Sequence, residues 1–210
     1  ETVLFNYGWF LSFAGRHADA IAMAERGVAL RPTLANPHRN LGVAHGYAGN
    51  AADAAKAMRD CIGLDARVTI CHIYLAFALL RQGEADAAAA ELAAAEKLFG
   101  ANPTPATLSS VAHGYYRAGR GEDAARLFAR VQKIAADGGV VGAGSWPLGY
   151  LAIGDADQAY AWLTRAVEKV ERGEPDEGFF NLMIIKANVA ANPVLDEPGF
   201  RALRERIGKL

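Results

Sequence analysis

The sequence predicts an all-α protein, built as a right-handed superhelical stack of five helical hairpins with two C-terminal capping helices. Three observations carry this prediction. A short phrase around a glycine, such as AGNAADAA at 48–55, recurs five times at a spacing of 34 to 36 residues. An alanine follows each of these glycines by five positions. Apolar residues on either side of each glycine are spaced three or four apart, as on one face of a helix.

The recurring phrase predicts the turn and the closest contact of each hairpin. Its glycine ends the first helix, because glycine adopts the left-handed conformation of a helix C-cap at little cost. The acidic residues after it lie in the first turn of the second helix, where negative charge is favoured. The alanine allows the two helix backbones to approach closely. The glycines are Gly15, Gly49, Gly83, Gly119 and Gly154, and the alanines are Ala20, Ala54, Ala88, Ala124 and Ala159.

The spacing divides the chain into five repeats and a tail. The repeats are residues 1–34, 35–68, 69–104, 105–139 and 140–172, and the tail is 173–210. One hairpin cannot bury its faces alone, but stacked neighbours share one continuous core.

A glycine-rich segment, DGGVVGAGSWPLG at 137–149, interrupts the pattern before the fifth repeat. We expect a long and mobile turn at 137–145, with Ser145 capping a helix that starts late, near Pro147. A phosphate-binding loop is the alternative, but no Gly-Lys-Ser/Thr follows and no strand precedes the segment.

The tail predicts two helices that close the open end of the stack, as a repeat protein requires for solubility. Residues 174–193 form the first, which Asn192-Pro193 ends. Residues 195–210 form the second, with Asp196 as its cap and Phe200, Leu203 and Ile207 on one face.

Composition excludes several classes of function. The chain is 52% apolar and 21% charged with a net charge of −1, so nothing in its charge favours nucleic acid or an anionic membrane. Its longest apolar stretch, 68–80, is too short to span a bilayer. Cys61 and Cys71 show no disulfide or metal-binding spacing, which predicts buried free thiols in a reducing compartment and a cytoplasmic location. The chain opens without Met, so we expect a fragment of a longer protein.

The pattern resembles the tetratricopeptide repeat from residue 1 to about residue 172. That family places apolar residues at positions 4, 7 and 11 of each repeat, small residues at 8, 20 and 27, a bulky residue at 24 and proline at 32. The first repeat matches with Leu4, Tyr7, Gly8, Leu11, Ala20, Gly27 and Pro32. It departs at Ala24, and later repeats lack the proline at Ala66, Gly100 and Ala136. The resemblance implies a non-catalytic array that binds other proteins.

The tail has a narrower resemblance. Asp196, Pro198, Phe200 and Leu203 resemble the ends of bacterial arrays in class III nucleotide cyclase-like proteins and winged-helix transcriptional regulators. This implies the regulatory C-terminal part of a larger bacterial signalling or transcription-regulating protein, whose attached effector domain could be catalytic.

The family resemblance also implies where a partner binds. The concave groove of such arrays is lined by positions 2, 5, 9, 12 and 13 of the first helices. Aromatic residues and arginine at these positions are of the types enriched in binding hot spots. The expected occupant is a protein or peptide segment, from another protein or from the missing N-terminal part of its own chain. The implied residues are Phe5, Trp9, Phe13, Arg39, Tyr47, Ile73, Phe77, Arg81, His113, Tyr116 and Arg117.

Two alternatives stay open. The aromatic face could instead be buried in a homodimer, because so apolar a patch should not stay bare. An enzyme is disfavoured, since neither HExxH nor GxSxG occurs, and His38 and His72 lack a third metal ligand. We therefore expect no catalytic residue, cofactor or metal in this chain.

Overall fold

The structure is a computed structural model, and it describes residues 8, 11, 12, 14–100, 102–174 and 198–209. Ten helices are bounded within these residues, and no strand occurs among them, so the all-α prediction is confirmed. The predicted helix at 174–193 and the groove residues Phe5, Trp9 and Phe13 lie outside the described residues. The helices are α1 His17–Leu30, α2 Ala35–Ala48, α3 Ala51–Leu64, α4 Thr69–Arg81, α5 Ala85–Lys97, α6 Pro105–Arg117, α7 Gly121–Ala136, α8 Ser145–Ala152, α9 Ala156–Glu171 and α10 Pro198–Lys209.

The five recurring glycines make the hairpin turns as predicted. Each has a positive φ, between 74° and 90°, in the region that side chains rarely adopt. At Gly49, which follows α2, the backbone N–H of Asn50 donates to the carbonyl of His45 at 2.9 Å. This bond satisfies a carbonyl in the last turn of α2, as expected of a left-handed cap.

The five recurring alanines are buried, as expected of residues at the close contacts of the hairpins. Their side chains are at most 2% exposed: Ala20 1%, Ala54 2%, Ala88 0%, Ala124 0% and Ala159 0%. A larger side chain at these points would push the paired helices apart, because protein interiors are close-packed.

Ala88→Leu is expected to lower the free energy of unfolding by about 1–3 kcal/mol, since it inserts methylenes into a filled site. The matched control is Ala87→Leu, at an exposed position of the same helix. Urea unfolding of both variants measures the difference. Equal stability of the two variants would show that Ala88 is not at a close contact.

The chain divides into two compact units, residues 1–100 and 101–210, here called the N-terminal and C-terminal units. In the N-terminal unit each of α1 to α4 packs against the helix that follows it, and α2 also contacts α4. In the C-terminal unit α6 packs against α7 and α8, while α9 packs against α8 and α10. The helices thus pair as hairpins within each unit; the predicted repeat boundaries stay predictions.

An aromatic cluster forms the centre of the C-terminal unit. Phe128 of α7 is 1% exposed and meets Tyr150 and Trp146 of α8 edge to face, at centroid distances of 5.0 and 6.0 Å. Trp162 of α9 stacks on Trp146 at 5.1 Å. Gly149 lies against the Phe128 ring, where an added Cβ would overlap the ring carbons.

The glycine-rich segment before α8 differs from the expectation in one respect. Helix α8 begins at Ser145 itself, its N-cap is Gly144, and no side chain caps it. The prediction of Ser145 as the cap is therefore wrong; the residue is buried in the first turn instead, at 1% exposure. Gly142 and Gly144 are also buried, and the expected mobility of the segment stays a prediction.

The last helix closes the C-terminal unit. Phe200 and Leu203 of α10 are 3% and 2% exposed, and Phe200 meets Tyr160 of α9 edge to face at 5.3 Å. Arg206 donates to both carboxylate oxygens of Glu171 at 3.0 and 2.6 Å. This bidentate pair holds the end of α10 against the end of α9.

The expectation for the cysteines is wrong. Cys61 near the end of α3 and Cys71 in the first turn of α4 form a disulfide, with Cα atoms 6.4 Å apart. Both residues are fully buried. The ten-residue separation hides this pairing in the sequence, because only the reversal of the chain at 65–68 brings the two helix ends together. Disulfides persist in oxidising compartments, so the cysteines no longer support a reducing one.

Candidate partner-binding surface

The N-terminal unit buries two of its predicted groove residues. Ile73 and Phe77 of α4 are only 3% and 5% exposed, so they do not form an open apolar wall. The cause is the position of α4, whose residues from Cys71 to Leu79 are all buried except the half-buried Tyr74. Helix α4 is therefore covered on nearly all sides, and it lacks the exposed polar side that an amphipathic helix in a groove would have.

A cluster of one arginine and two tyrosines joins α2 to α4. Arg39 is half-buried on α2, and burial lowers the pKa of its guanidinium, an effect that the charge interaction with Tyr74 partly offsets. Burial raises the pKa of Tyr47 at the far end of α2, and the neighbouring Tyr74 hydroxyl partly offsets this. The pKa of Tyr74 is raised by burial and by Tyr47. The cluster thus combines a cation with two neutral phenols in a site of low polarity.

Arg81 has a structural contact in addition to any binding role. Its Nη1 donates to the Gly46 carbonyl at 3.1 Å and its Nη2 to the Gly49 carbonyl at 3.3 Å. The next residue, Gln82, donates to the Ala51 carbonyl at 3.3 Å. These bonds connect the following hairpin to carbonyls at the end of α2 and at the start of α3. An Arg81→Ala variant would therefore disturb the fold as well as any binding site.

The C-terminal unit places three predicted residues together on α6. Tyr116 is 42% exposed, while His113 is 3% exposed and Arg117 is half-buried. Burial, followed by the charge of Arg117, lowers the pKa of His113 to about 3. Its Nδ1 has no hydrogen-bond partner within the described chain, and the same holds for the Ser109 hydroxyl one turn earlier. On α6 the exposed Tyr116 is thus followed by the half-buried Arg117, and the same helix carries the buried polar side chains of His113 and Ser109.

Sequence reasoning missed Tyr74 and Ser109. Ser109 occupies position 5 of its repeat, one of the groove positions, but a search restricted to aromatic and basic residues passes over it. Tyr74 occupies position 6, which lies outside the groove set, and no sequence signal marks its contact with Arg39.

His38 and His72 hold equivalent structural places rather than a metal site. His72 Nε2 donates to the Ala66 carbonyl at 3.1 Å, and its Nδ1 lies 2.7 Å from a carboxylate oxygen of Glu91. His38 Nε2 likewise donates to the Pro32 carbonyl at 2.9 Å. No group of three potential metal ligands occurs within the described ranges.

Among the helices bounded above, none has both the length and the apolar character needed to cross a membrane.

The fold is that of an all-helical repeat protein. A family model described as tetratricopeptide repeat matches residues 2–26 and 70–94, which are parts of the first and third predicted repeats. The tetratricopeptide array inferred from the sequence is thus supported at two of its five repeats. A comparison with curated proteins found no match.

Solved structures of repeat proteins share the fold. A thermophilic TPR protein of Thermus thermophilus is 20% identical, with 80% of this chain and 90% of that chain covered and a TM-score of 0.60. A chain of the APC/C hetero-tetramer Cut9–Hcn1 is 13% identical over 97% of this chain and 42% of that chain, with a TM-score of 0.60. A mutant O-GlcNAc transferase of Thermobaculum terrenum is 18% identical over 63% and 25%, with a TM-score of 0.54. At these identities the likeness establishes the fold alone, and this chain spans less than half of the last two.

Proposed function

We propose that the chain is a non-catalytic module that binds a peptide segment of a partner protein along the first helices of its hairpins. One observation carries the proposal: the same groove positions of consecutive hairpins hold arginines and aromatic residues in both units. Such residues dominate binding energy at protein interfaces, because they combine large rigid surfaces with directed hydrogen bonds. The Cut9–Hcn1 hetero-tetramer, in which one of the similar structures was solved, agrees with a role in assembly.

The chemistry of the accessible residues describes the partner. Tyr116 offers an exposed ring, and Arg117 beside it offers a guanidinium. Arg39 offers a second, half-buried guanidinium in the N-terminal unit. A segment complementary to either unit has apolar or aromatic anchors and acidic side chains that pair with the guanidinium of that unit. Neither nucleic acid nor a membrane fits this pattern at a net charge of −1.

We propose further that the module is the regulatory C-terminal part of a larger bacterial signalling or transcription-regulating protein. The support is the tail motif, whose Phe200 and Leu203 are the buried anchors of α10. The cytoplasmic location inferred from the sequence stays a prediction, and the Cys61–Cys71 disulfide weighs against it.

Selection of random peptides displayed on phage is the test of binding. We expect enriched peptides that carry acidic and aromatic residues. Tyr116→Ala and Arg39→Gln should each bind them at least about fivefold more weakly, a loss of about 1 kcal/mol that most interface residues do not reach. Arg59→Gln is the matched control, because Arg59 is exposed on the second helix of the same hairpin as Arg39. Its affinity should equal that of the parent chain. Failure to enrich any peptide, or equal losses in all three variants, would reject the groove.

The alternative is a homodimer formed through the aromatic face. Analytical ultracentrifugation separates the two functions, since a dimer would double the mass of the 22.3 kDa chain. A dimer that Tyr116→Ala dissociates would favour self-association over peptide binding.

A further inference from the structure

We infer that the Cys61–Cys71 disulfide is a redox-controlled lock on the joint between α3 and α4. The inference does not depend on the proposed function. It starts from the two ends of α4, which are held by different kinds of bond.

The C-terminal end of α4 is tied by hydrogen bonds that no reductant affects. Arg81 donates to the carbonyls of Gly46 and Gly49, and Gln82 donates to the Ala51 carbonyl. These contacts join α4 to the preceding hairpin, α2 and α3, at the end of the helix remote from Cys71.

The N-terminal end of α4 is joined to α3 by the disulfide, in addition to the packing of the two helices against each other. Cys71 is the third residue of the helix, and its bond to Cys61 fixes this first turn to the last turn of α3. His72 adds polar ties to the same turn, to the Ala66 carbonyl at 3.1 Å and to Glu91 at 2.7 Å. Neither of these ties reaches α3. The Asp65–Arg67 contacts stay within the turn between the helices, so they do not anchor α4.

The pairing is specific to this joint. Cys61 occupies position 27 of its repeat, where the other repeats carry Gly27, Ala95, Val131 and Ala166, all without a sulfur atom. A cross-link is therefore present at one joint in the array, and it can change the stiffness of that joint alone.

Reduction follows ordinary thiol–disulfide exchange with a dithiol. A thiolate of the dithiol attacks one cystine sulfur, the S–S bond breaks, and the other cysteine leaves as a thiolate that takes up a proton. The second thiol of the reductant then displaces the first cysteine and the dithiol ends as a disulfide, so the protein gains two electrons and two protons. Both cysteines are fully buried, so attack requires opening of the α3–α4 joint. The disulfide is consequently protected from reduction in the folded state, and a dithiol can reduce it only when the α3–α4 joint opens.

Hydrogen exchange of the full chain, with and without a dithiol reductant, tests the lock. We expect amides at 69–75 to exchange at least about tenfold faster after reduction, because the covalent cross-link no longer restricts local opening of this turn. Amides at 77–82 should change little. The Cys61→Ala/Cys71→Ala double variant should show the fast exchange without reductant and no response to it.

Mass spectrometry after thiol alkylation supplies the independent readout. Because both cysteines are buried, the protein is denatured before alkylation. A protein prepared under oxidising conditions should then take up no alkyl group, and the reduced protein should take up two. Two alkylated cysteines before reduction would overturn the inference, and so would equal exchange at 69–75 in the oxidised and reduced protein. Exchange that rises equally at 69–75 and 77–82 would also overturn it, because the lock would then act on the whole helix.

Discussion

Gly149→Ala is expected to lower the free energy of unfolding of the C-terminal unit by about 3 kcal/mol, the upper part of the range for overpacked cores. The added Cβ would overlap ring carbons of Phe128 and stand 3.0 Å from its Cζ. The ring cannot move aside, because Tyr150 and Trp146 meet it edge to face and it is 1% exposed. Relief requires displacement of α8 from α7, with the loss of the aromatic packing between them.

Gly42→Ala is the matched control. Gly42 is also a buried helical glycine at a hairpin contact, and its added Cβ would stand 2.7 Å from Cε of Met58. Met58 is a flexible side chain that can change rotamer, and alanine is favoured over glycine within a helix by about 1 kcal/mol. The control should therefore unfold close to the parent chain. Urea unfolding followed by far-UV circular dichroism measures both variants, because both units are helical. Equal losses would show that Phe128 can rearrange as Met58 does.

Acidification from pH 6.5 to 4.5 is expected to destabilise the C-terminal unit by about 2 kcal/mol through His113. Burial and then the charge of Arg117 lower the pKa of His113 from 6.5 to about 3 in the folded chain. Between these values the unfolded chain binds a proton that the folded chain does not. The stability contributed by the neutral imidazole is complete above pH 6.5, and it is lost as the pH falls, at about 1.4 kcal/mol per pH unit.

The test compares the pH dependence of stability in three proteins. His113→Gln removes the titrating group, so its stability should fall less steeply than that of the parent below pH 6.5. Arg117→Gln removes the second cause of the lowered pKa and should lie between the two. Parallel curves for the parent and His113→Gln would mean that His113 is protonated in the folded chain. The emission of Trp146 and Trp162 reports on this unit, since both residues lie in its aromatic cluster.

Most of the fold could be predicted from the sequence, because the hairpin is a local structure. The spacing of Gly49, Gly83 and Ala88 sets the turn and the closest contact within about ten residues, and the structure has both. The disulfide could not be predicted in the same way, because it joins two helix ends whose approach depends on how one hairpin stacks on the next. The capping role predicted for Ser145 is wrong for a related reason: a buried serine and a capping serine look alike in a sequence.

The binding surface was less predictable than the fold. The family resemblance places residues on a helix face but does not say which parts of that face stay open. Ile73 and Phe77 fit the groove pattern, yet α4 is covered on nearly all sides. Tyr116 fits the same pattern and is exposed, whereas its neighbour Tyr115 on α6 is buried. Exposure depends on packing between elements, which no single repeat encodes.

In the N-terminal unit, several side chains donate hydrogen bonds to backbone carbonyls that lie earlier in the chain. His38 bonds to the carbonyl of Pro32, His72 to that of Ala66, and Arg81 to those of Gly46 and Gly49. In each case a later helix supplies the donor and an earlier segment supplies the carbonyl. Of these bonds, only those of Arg81 reach back to an earlier hairpin. A chain that ends before residue 81 lacks both donors, so the carbonyls of Gly46 and Gly49 lose their side-chain partner. During synthesis the hairpin of α2 and α3 therefore completes its polar contacts only after α4 has left the ribosome.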